Sequence, residues 1–231
     1  MEVSARVPGL SDNLDKTHPK RKKALRRISQ CAERTEKLEK TKLVLSKKAA
    51  YFRERLPGLE IPDLAAGDFE QLTITGQLNV VEDLAAGEPV SLVGSSLGGY
   101  LAALYAARHE EAERLVLLAP AFGFARRWAQ STDAAVWRER GYLDVYHFGE
   151  KRTRRLRYDL LEDGLSYEDF PDFPQPALIF HGIHDTVVPS ALSKEFAASH
   201  PNARLRLLDS DHELLDVLEI IWRESERFLL R

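Results

Sequence analysis

The stretch Gly94-Ser95-Ser96-Leu97-Gly98 places a serine between two glycines. A serine hydroxyl becomes a nucleophile when a nearby base removes its proton. The residues before it, EPVSLVG, are typical of a buried strand, and those after it, LGGYLAALYAARH, of an alanine-rich helix. A strand that turns sharply into a helix would expose the Ser96 hydroxyl at the strand end, with Gly94 and Gly98 leaving room for the tight backbone.

The same turn would point the backbone N–H of Leu97, at the start of the predicted helix, toward an oxyanion formed beside Ser96. The alternative is that Ser96 is an ordinary serine at a helix cap. The choice between these interpretations depends on whether an acid and a histidine follow at suitable places in the chain.

Asp185 is the candidate acid. It stands in HGIHDTVVP (His181–Pro189), after an apolar predicted strand and before a predicted helix. A carboxylate just past a strand end could accept a bond from an imidazole and fix its tautomer. The alternative is that Asp185 only forms a local turn with the backbone. Other carboxylates remain open for the same role: Asp163, Asp172, Asp209 and Asp211.

His212 is the candidate base. It falls in DSDHEL (Asp209–Leu214), between the last predicted strand and the last predicted helix. The chain order serine, acid, histidine is one of the orders known for such triads, and His212 comes third. The alternative is an exposed loop histidine, and we expect its neighbour Glu213 to favour the start of the last helix. The remaining histidines are weaker candidates, with His147 kept for substrate contact: His18, His109, His147, His181, His184 and His200.

Strand-like and helix-like segments alternate from about Leu59 to the end of the chain. The strands are almost entirely apolar, which predicts an α/β fold with a mostly parallel sheet covered by helices on both faces. Sites in such sheets form at the carboxyl edge, where the three candidate residues would meet. Residues 121–173 interrupt the alternation with three aromatic clusters, and we expect them to form a small helical cap.

The charge divides the chain unevenly. Residues 1–50 hold 14 Lys and Arg against 6 Asp and Glu, whereas residues 51–231 hold 19 against 30. We therefore expect residues 1–45 to form a basic, poorly structured or helical segment and residues 46–231 to form the catalytic domain. A second basic run, KRTRRLR (Lys151–Arg157), is interpreted as one face of a solvated helix or, alternatively, as an attraction for an anionic substrate.

These motifs resemble the α/β-hydrolase superfamily and, more narrowly, small bacterial esterases of the YqiA type. The resemblance runs from about Ser46 to the end, roughly four fifths of the chain, and its matching motifs are PDL (Pro62–Leu64), GSSLGGYLA (Gly94–Ala102), LLAPAF (Leu117–Phe122), HGIHDTVVP and DSDHEL. The resemblance implies hydrolysis of small esters or thioesters through an acyl-enzyme, with Ser96 attacking, His212 moving the proton and Asp185 orienting His212.

The chain departs from this pattern at its beginning. Proteins of this type usually open with a strand ending in His-Gly, whose loop donates a second oxyanion N–H, and nothing before Leu59 reads HG. TKLVL (Thr41–Leu45) could supply an atypical first strand, followed at once by SKKAAYFRERL, which resembles the first helix. Loss of one oxyanion donor typically lowers kcat by ~10²–10³. A ligand-binding scaffold with impaired catalysis is therefore the alternative function.

The composition of the chain limits its expected cofactors, partners and location. The chain has one cysteine, Cys31, and no metal-binding spacing, so we expect no disulfide, metal or cofactor and a reducing cytoplasmic location. No apolar run approaches the ~20 residues of a membrane span. PKRKKALRR (Pro19–Arg27) has charge suited to nucleic acid but no interleaved aromatics, so the expected partner is a small-molecule ester or thioester. The oligomeric state stays open.

Overall fold

Apolar segments pair as parallel strands in the computed structural model, which describes residues 46–56, 58–147 and 150–230 apart from the Thr132 side chain. In chain order the elements are the helix Lys47–Arg55 (α1), a 3-10 turn Phe69–Gln71, the helix Ile74–Ala85 (α2), the strand Val90–Ser95 (β1), the helix Leu97–Ala106 (α3), the strand Ala112–Leu118 (β2), the helices Phe124–Ala129 (α4) and Thr132–Arg140 (α5), the strands Tyr142–His147 (β3) and Arg152–Arg157 (β4), the helix Asp159–Gly164 (α6), the strand Ala177–Gly182 (β5), the helix Ser190–Ser199 (α7), the strand Ala203–Leu208 (β6), a 3-10 turn Leu215–Val217 and the helix Leu218–Leu229 (α8).

The main sheet of the described residues has the order β1-β2-β5-β6, and all its neighbouring strands are parallel. This arrangement confirms the expected α/β class. The described residues all belong to one unit, Leu45–Arg231. The predicted basic segment 1–45 and the predicted first strand Thr41–Leu45 lie outside the described residues.

Alternating side chains of the central strands divide the core into two layers. Leu115 and Leu117 of β2 pack with α2, α3 and α7 on one face, whereas Val116 and Leu118 pack with α1 and α8 on the other. Successive residues of a strand point to opposite faces, so a strand that is apolar throughout requires cover on both. The carboxyl ends of β1, β5 and β6 consequently emerge together along one covered edge.

The insertion between β2 and β5 contains the expected short helices, α4, α5 and α6, and also an antiparallel hairpin of β3 and β4. The interpretation of KRTRRLR as a helix face is wrong, because Arg152–Arg157 forms β4. Arg154 and Leu156, two residues apart, are half-buried while the other residues of β4 are exposed, as on a strand with one covered face. Glu150 binds both Arg152 and Arg154, so part of this positive charge is neutralised within the hairpin.

Three large aromatic side chains of the insertion are buried against the domain. Phe122 and Phe173 pack on Phe196 of α7, with the Phe122 ring stacked at 4.3 Å between centroids. Trp137 is 1% exposed and donates its indole N–H to the Leu156 carbonyl at 2.9 Å. These three rings therefore pack the insertion onto the rest of the domain. No helix in the described ranges combines the length and hydropathy needed to cross a membrane.

Candidate functional site

Ser96 stands at the sharp turn between β1 and α3. Its backbone has φ 53° and ψ −120°, a left-handed conformation that L residues with side chains rarely adopt. The Ser96 N–H donates to the Leu118 carbonyl at 2.8 Å, and the Ser96 carbonyl accepts from the Ala121 N–H at 3.0 Å. Bonds to the neighbouring strand end therefore hold the strained residue in place, as is usual where strain serves a site.

The glycines around this turn have unequal roles. A Cβ atom on Gly94 would lie 2.6 Å from the Gly98 carbonyl carbon and 2.8 Å from the Gly99 Cα, so the strand and helix can approach only with glycine there. A Cβ on Gly98 would meet nothing within 4 Å, which corrects the expectation that both flanking glycines provide room. The second close contact falls instead at Gly99, whose Cβ would lie 3.1 Å from Pro120.

The three residues proposed from the sequence come together at the carboxyl edge of the sheet. His212 Nε2 lies 3.1 Å from Ser96 Oγ, and His212 Nδ1 lies 2.7 Å from Asp185 Oδ2. Because Asp185 only accepts, Nδ1 carries the hydrogen and Nε2 accepts from the serine hydroxyl. The Asp185 side chain is fully buried and that of His212 is 13% exposed. Such a hydrogen-bonded chain can pass a proton from serine to imidazole.

Asp185 accepts hydrogen bonds at both carboxylate oxygens. Its Oδ1 receives the backbone N–H groups of Val187 at 2.8 Å and Val188 at 2.7 Å, so it also makes the local turn offered as the alternative role. Burial pushes the pKa of Asp185 upward, but the bonds from Val188, His212 and Val187 outweigh burial and hold that pKa below its ordinary value. The carboxylate thus stays ionised beside His212.

His181 is a second imidazole on the same carboxylate, and sequence reasoning left it with no more than a shaping role. It is fully buried, and its Nε2 lies 3.1 Å from Asp185 Oδ2 and 2.9 Å from the Val188 carbonyl. Both partners are acceptors, so Nε2 carries the hydrogen while Nδ1 accepts from the Ser193 hydroxyl at 2.8 Å. Burial is the main cause that lowers the pKa of His181, which keeps this imidazole neutral.

The loop that carries His212 is held by contacts from two other elements. Gly182, at the end of β5, lies so close to the carbonyl groups of Ser210 and Asp211 that a Cβ could not be accommodated. Lys48 of α1 is 7% exposed and donates its amine to the His212 carbonyl at 3.4 Å. Burial lowers the pKa of Lys48 against the attraction of nearby carboxylates. A lysine in a basic helix gives no sequence signal of this contact.

The rival carboxylates lie elsewhere. Asp163 binds the backbone N–H and hydroxyl of Thr75, both at 2.7 Å. Asp209 pairs with His184 at 2.7 Å, and Asp211 accepts from the Glu213 N–H at 2.8 Å. Asp172 has a side chain that is 95% exposed. Among the described residues, Asp185 is the carboxylate that is hydrogen-bonded to the His212 ring.

The other candidate histidines also have separate surroundings. His109 stacks on Tyr105 with centroids 4.0 Å apart, and His200 stacks on Phe196 at 3.8 Å. His147 contacts the Phe69 ring edge-on and accepts from the Glu150 N–H at 3.0 Å. His18 lies outside the described residues.

The helices α8 and α3 both begin near the site. The last helix, α8, begins at Leu218, so Glu213 lies in the preceding loop and Glu219 is the acidic residue of its first turn. The Leu97 N–H opens α3 and donates no hydrogen bond within the described residues, which leaves it free for an oxyanion. No backbone N–H of residues 46–50 bonds to Ser96, and residues 40–45 lie outside the described part.

The insertion contacts the loop that carries Asp185. Arg127 of α4 donates to the Val187 carbonyl at 2.9 Å. Three apolar side chains are exposed on these two segments: Ile183 at 50%, Val187 at 58% and Trp128 at 38%. Unlike the buried rings of the insertion, they are available to contact an apolar group.

Comparison with solved structures identifies the α/β-hydrolase fold. Est1E from Butyrivibrio proteoclasticus matches with a TM-score of 0.58 and 21% identity over 69% of this chain and 70% of that chain. A protein from Agrobacterium vitis S4, whose name assigns it only provisionally to the hydrolases, matches with a TM-score of 0.62 and 24% identity over 80% and 83% of the two chains. Mouse alpha/beta hydrolase domain-containing protein 10 matches with a TM-score of 0.57 and 21% identity over 70% and 72%.

The profile of the uncharacterised protein family UPF0227 matches residues 40–227. The chain therefore belongs to this family. None of the curated proteins matches it. The expected α/β-hydrolase resemblance is confirmed.

Replacing the flanking glycines one at a time tests the tight turn. Gly94→Ala should lower the free energy of unfolding by about 1–3 kcal/mol or more, because its Cβ would overlap the start of α3. Gly98→Ala is the matched control and should change this free energy by less than about 1 kcal/mol, because its Cβ enters open space. Urea denaturation measures both; equal losses would contradict the proposed close approach at Gly94.

Acidification should destabilise the protein through His181. The pKa of His181 is lower in the folded chain than in the unfolded chain. Below about pH 6.5 the unfolded chain therefore binds a proton at this residue that the folded chain does not bind. The free energy of unfolding should therefore fall as pH decreases through this window, by at most about 1.4 kcal/mol per pH unit for this group.

The comparison variant for this pH effect is His184→Gln, which alters an imidazole in the same loop region whose side chain is 65% exposed. Denaturant titrations at several pH values should show a smaller slope for His181→Gln than for either the unmodified protein or His184→Gln. Identical slopes for His181→Gln and the unmodified protein would show that His181 is not buried in its neutral form.

Proposed function

We propose that this protein is a serine hydrolase that cleaves small carboxylic esters or acyl thioesters through an acyl-enzyme intermediate. The observation that supports the proposal is the continuous chain from Ser96 Oγ through the His212 ring to the buried Asp185 carboxylate, with separations of 3.1 Å and 2.7 Å. A serine that attacks must lose its proton, so it needs a neighbouring imidazole as base. The imidazole in turn needs a carboxylate that holds its tautomer.

In the proposed first half-reaction, His212 Nε2 takes the proton from Ser96 Oγ as that oxygen attacks the substrate carbonyl carbon. The tetrahedral intermediate collapses when the bond to the alkoxide or thiolate breaks, and His212 protonates the departing group. In the second half-reaction His212 takes a proton from water, the resulting hydroxide attacks the acyl group, and Ser96 leaves with its proton restored. The two steps yield an acid and an alcohol or thiol.

Asp185 supports both half-reactions through charge and orientation. Its ionised Oδ2 accepts from Nδ1–H, which keeps Nε2 free to accept from Ser96 and stabilises the imidazolium formed at each attack. Four donated hydrogen bonds fix this carboxylate, two from the backbone and two from imidazole rings. The carboxylate is consequently oriented before substrate arrives.

Leu97 is the proposed oxyanion donor. Its N–H belongs to the first turn of α3, where the helix dipole adds positive potential beside Ser96. A second donor would come from the chain before α1, in the segment outside the described residues. The missing HG sequence there supports the alternative function, a hydrolase-like scaffold that binds a small ligand with impaired turnover.

An ester with an apolar acyl or aromatic group is the proposed substrate. Ile183 and Val187 flank Asp185 in its loop and expose apolar surface, as does Trp128 of the adjoining α4. Among the structurally similar proteins, Est1E has been solved with ferulic acid bound, at a TM-score of 0.60 and 22% identity over 71% of this chain and 70% of that chain. We place the reaction in the cytoplasm, where a chain with one cysteine and no disulfide would function.

A substrate panel on matched variants tests the triad. Asp185→Asn should lower kcat by about 10⁴, because the amide no longer holds the tautomer of His212 that serves as base. His212→Ala should lower it by at least as much. The control is Asp209→Asn, whose carboxylate pairs with exposed His184, and it should leave kcat unchanged. Hydrolysis of p-nitrophenyl esters and acyl thioesters of increasing chain length provides the rates.

The outcomes separate the two candidate functions. Turnover that disappears in His212→Ala while Asp209→Asn stays active supports the hydrolase and ranks ester against thioester. Equal rates for His212→Ala and the unmodified protein would remove His212 from the mechanism. Folded, unmodified protein that turns over none of the substrates would favour the ligand-binding scaffold.

A further inference from the structure

A cluster of arginines lies beside α8, at the β6 side of the described sheet. It lines an open-sided cavity of about 510 Å³, formed by Arg114, Arg204, Arg206, Glu224, Arg227 and Phe228. The side chains come from three elements: β2, β6, which is separated from β2 by β5 in the sheet, and α8.

Strand register places these side chains on one face of the sheet. Arg204 and Arg206 stand opposite Leu178 and Phe180 of β5, which belong to the core layer beneath α1 and α8. Arg114 precedes Val116 of the same layer by two residues and so shares its face. The arginines thus converge on the space beside the last turns of α8.

Two of these arginines lie toward the amino-terminal ends of their strands, whereas Arg206 lies level with Leu118, the last residue of β2. Arg114 is the third residue of β2 and Arg204 the second of β6. Ser96 follows the carboxyl end of β1, and a strand rises about 3.3 Å per residue. The four steps from Arg114 to Leu118 therefore span roughly 13 Å along the sheet. Arg206 is separated from the site at Ser96 across the sheet, by three strand spacings or roughly 14 Å.

The charges of the cavity are not balanced by its own lining. Arg206 pairs with Glu224 at 3.0 Å, and Glu224 is the single carboxylate of the lining. The Arg114 guanidinium lies 5.6 Å over the Phe228 ring. Arg204 and Arg227 form no ion pair with another described residue. Four guanidinium groups against one carboxylate leave an excess of three positive charges around a common space.

The overall charge of residues 51–231 does not explain the excess of arginines around this cavity. Residues 51–231 hold 19 Lys and Arg against 30 Asp and Glu, so a concentration of arginine here runs against the charge of the domain. Arginines on an edge strand can also discourage pairing with another chain. Prevention of strand pairing does not explain Arg114, because Arg114 belongs to β2 in the interior of the described sheet.

We propose that this cavity is an anion-binding site for a phosphate group carried by a small molecule or by a phospholipid headgroup. Guanidinium groups bind phosphate oxygens through paired N–H donors, and their mutual repulsion is relieved when an anion lies among them. A volume of about 510 Å³ exceeds that of the phosphate alone and lies in the range of sites for small organic ligands. Phe228 provides one apolar wall for the attached group.

Calorimetric titration of the full-length protein with inorganic pyrophosphate tests the site at physiological ionic strength. Saturable binding is expected. Arg204→Gln and Arg227→Gln should each raise Kd by about tenfold or more, because each removes a charged donor to the phosphate. Arg223→Gln is the matched control: it lies on α8, pairs with Glu219 outside the cavity, and should leave Kd unchanged.

Flotation with phosphatidylcholine vesicles, with and without phosphatidylglycerol, distinguishes the two sources of phosphate. Binding to phosphatidylglycerol vesicles that is lost in Arg204→Gln and Arg227→Gln assigns the site to a lipid headgroup. Pyrophosphate binding with the same variant pattern assigns it to a soluble ligand. Absence of both kinds of binding, or equal binding by all variants as expected for the basic residues 1–45, would overturn the proposal.

Circular dichroism and the midpoint of thermal unfolding provide the control for folding. Arg204 and Arg227 are exposed, so their replacement by glutamine should leave both measurements close to those of the unmodified protein. Arg204→Lys keeps the charge without the paired donors and should give an intermediate Kd.

Discussion

The hydrogen bond between His212 and the buried Asp185 carboxylate is the interaction on which the rest of the site depends. The two residues approach to 2.7 Å although they lie on loops after different strands. The parallel sheet ends β1, β5 and β6 along one edge and so brings these loops to Ser96. The buried apolar layers on both faces fix that edge, so core packing sets the geometry of the polar residues.

Several contacts limit how far the two loops can move. Gly182 allows the end of β5 to touch the backbone of Ser210 and Asp211, and Lys48 binds the carbonyl of His212 from α1. His181 donates to the same Asp185 oxygen, Oδ2, as His212 does, and remains neutral. A charged neighbour at that position would compete for Asp185, whereas a neutral donor orients it without altering its charge.

Local patterns in the sequence predict most of the elements, and the three residues that they single out lie in contact in the structure. Apolar runs such as RLVLLAP identify buried strands, and the glycines around Ser96 indicate a tight turn. The same patterns did not show that Gly99, rather than Gly98, meets Pro120, because that contact depends on which face of α3 meets the end of β2. Similarly, Lys48 and His181 acquire their roles from contacts between distant elements. The arginines of β4 were assigned to a helix because charge alone has no strand or helix period.

Labelling with a fluorophosphonate, followed by peptide mass spectrometry, tests most directly whether this geometry makes Ser96 a nucleophile. The reagent forms a covalent bond only with an activated serine. We predict one adduct, on the peptide that contains Ser96, formed much more slowly in His212→Ala and absent from Ser96→Ala. No adduct on the folded protein, or an adduct that forms at the same rate without the His212 imidazole, would contradict the account.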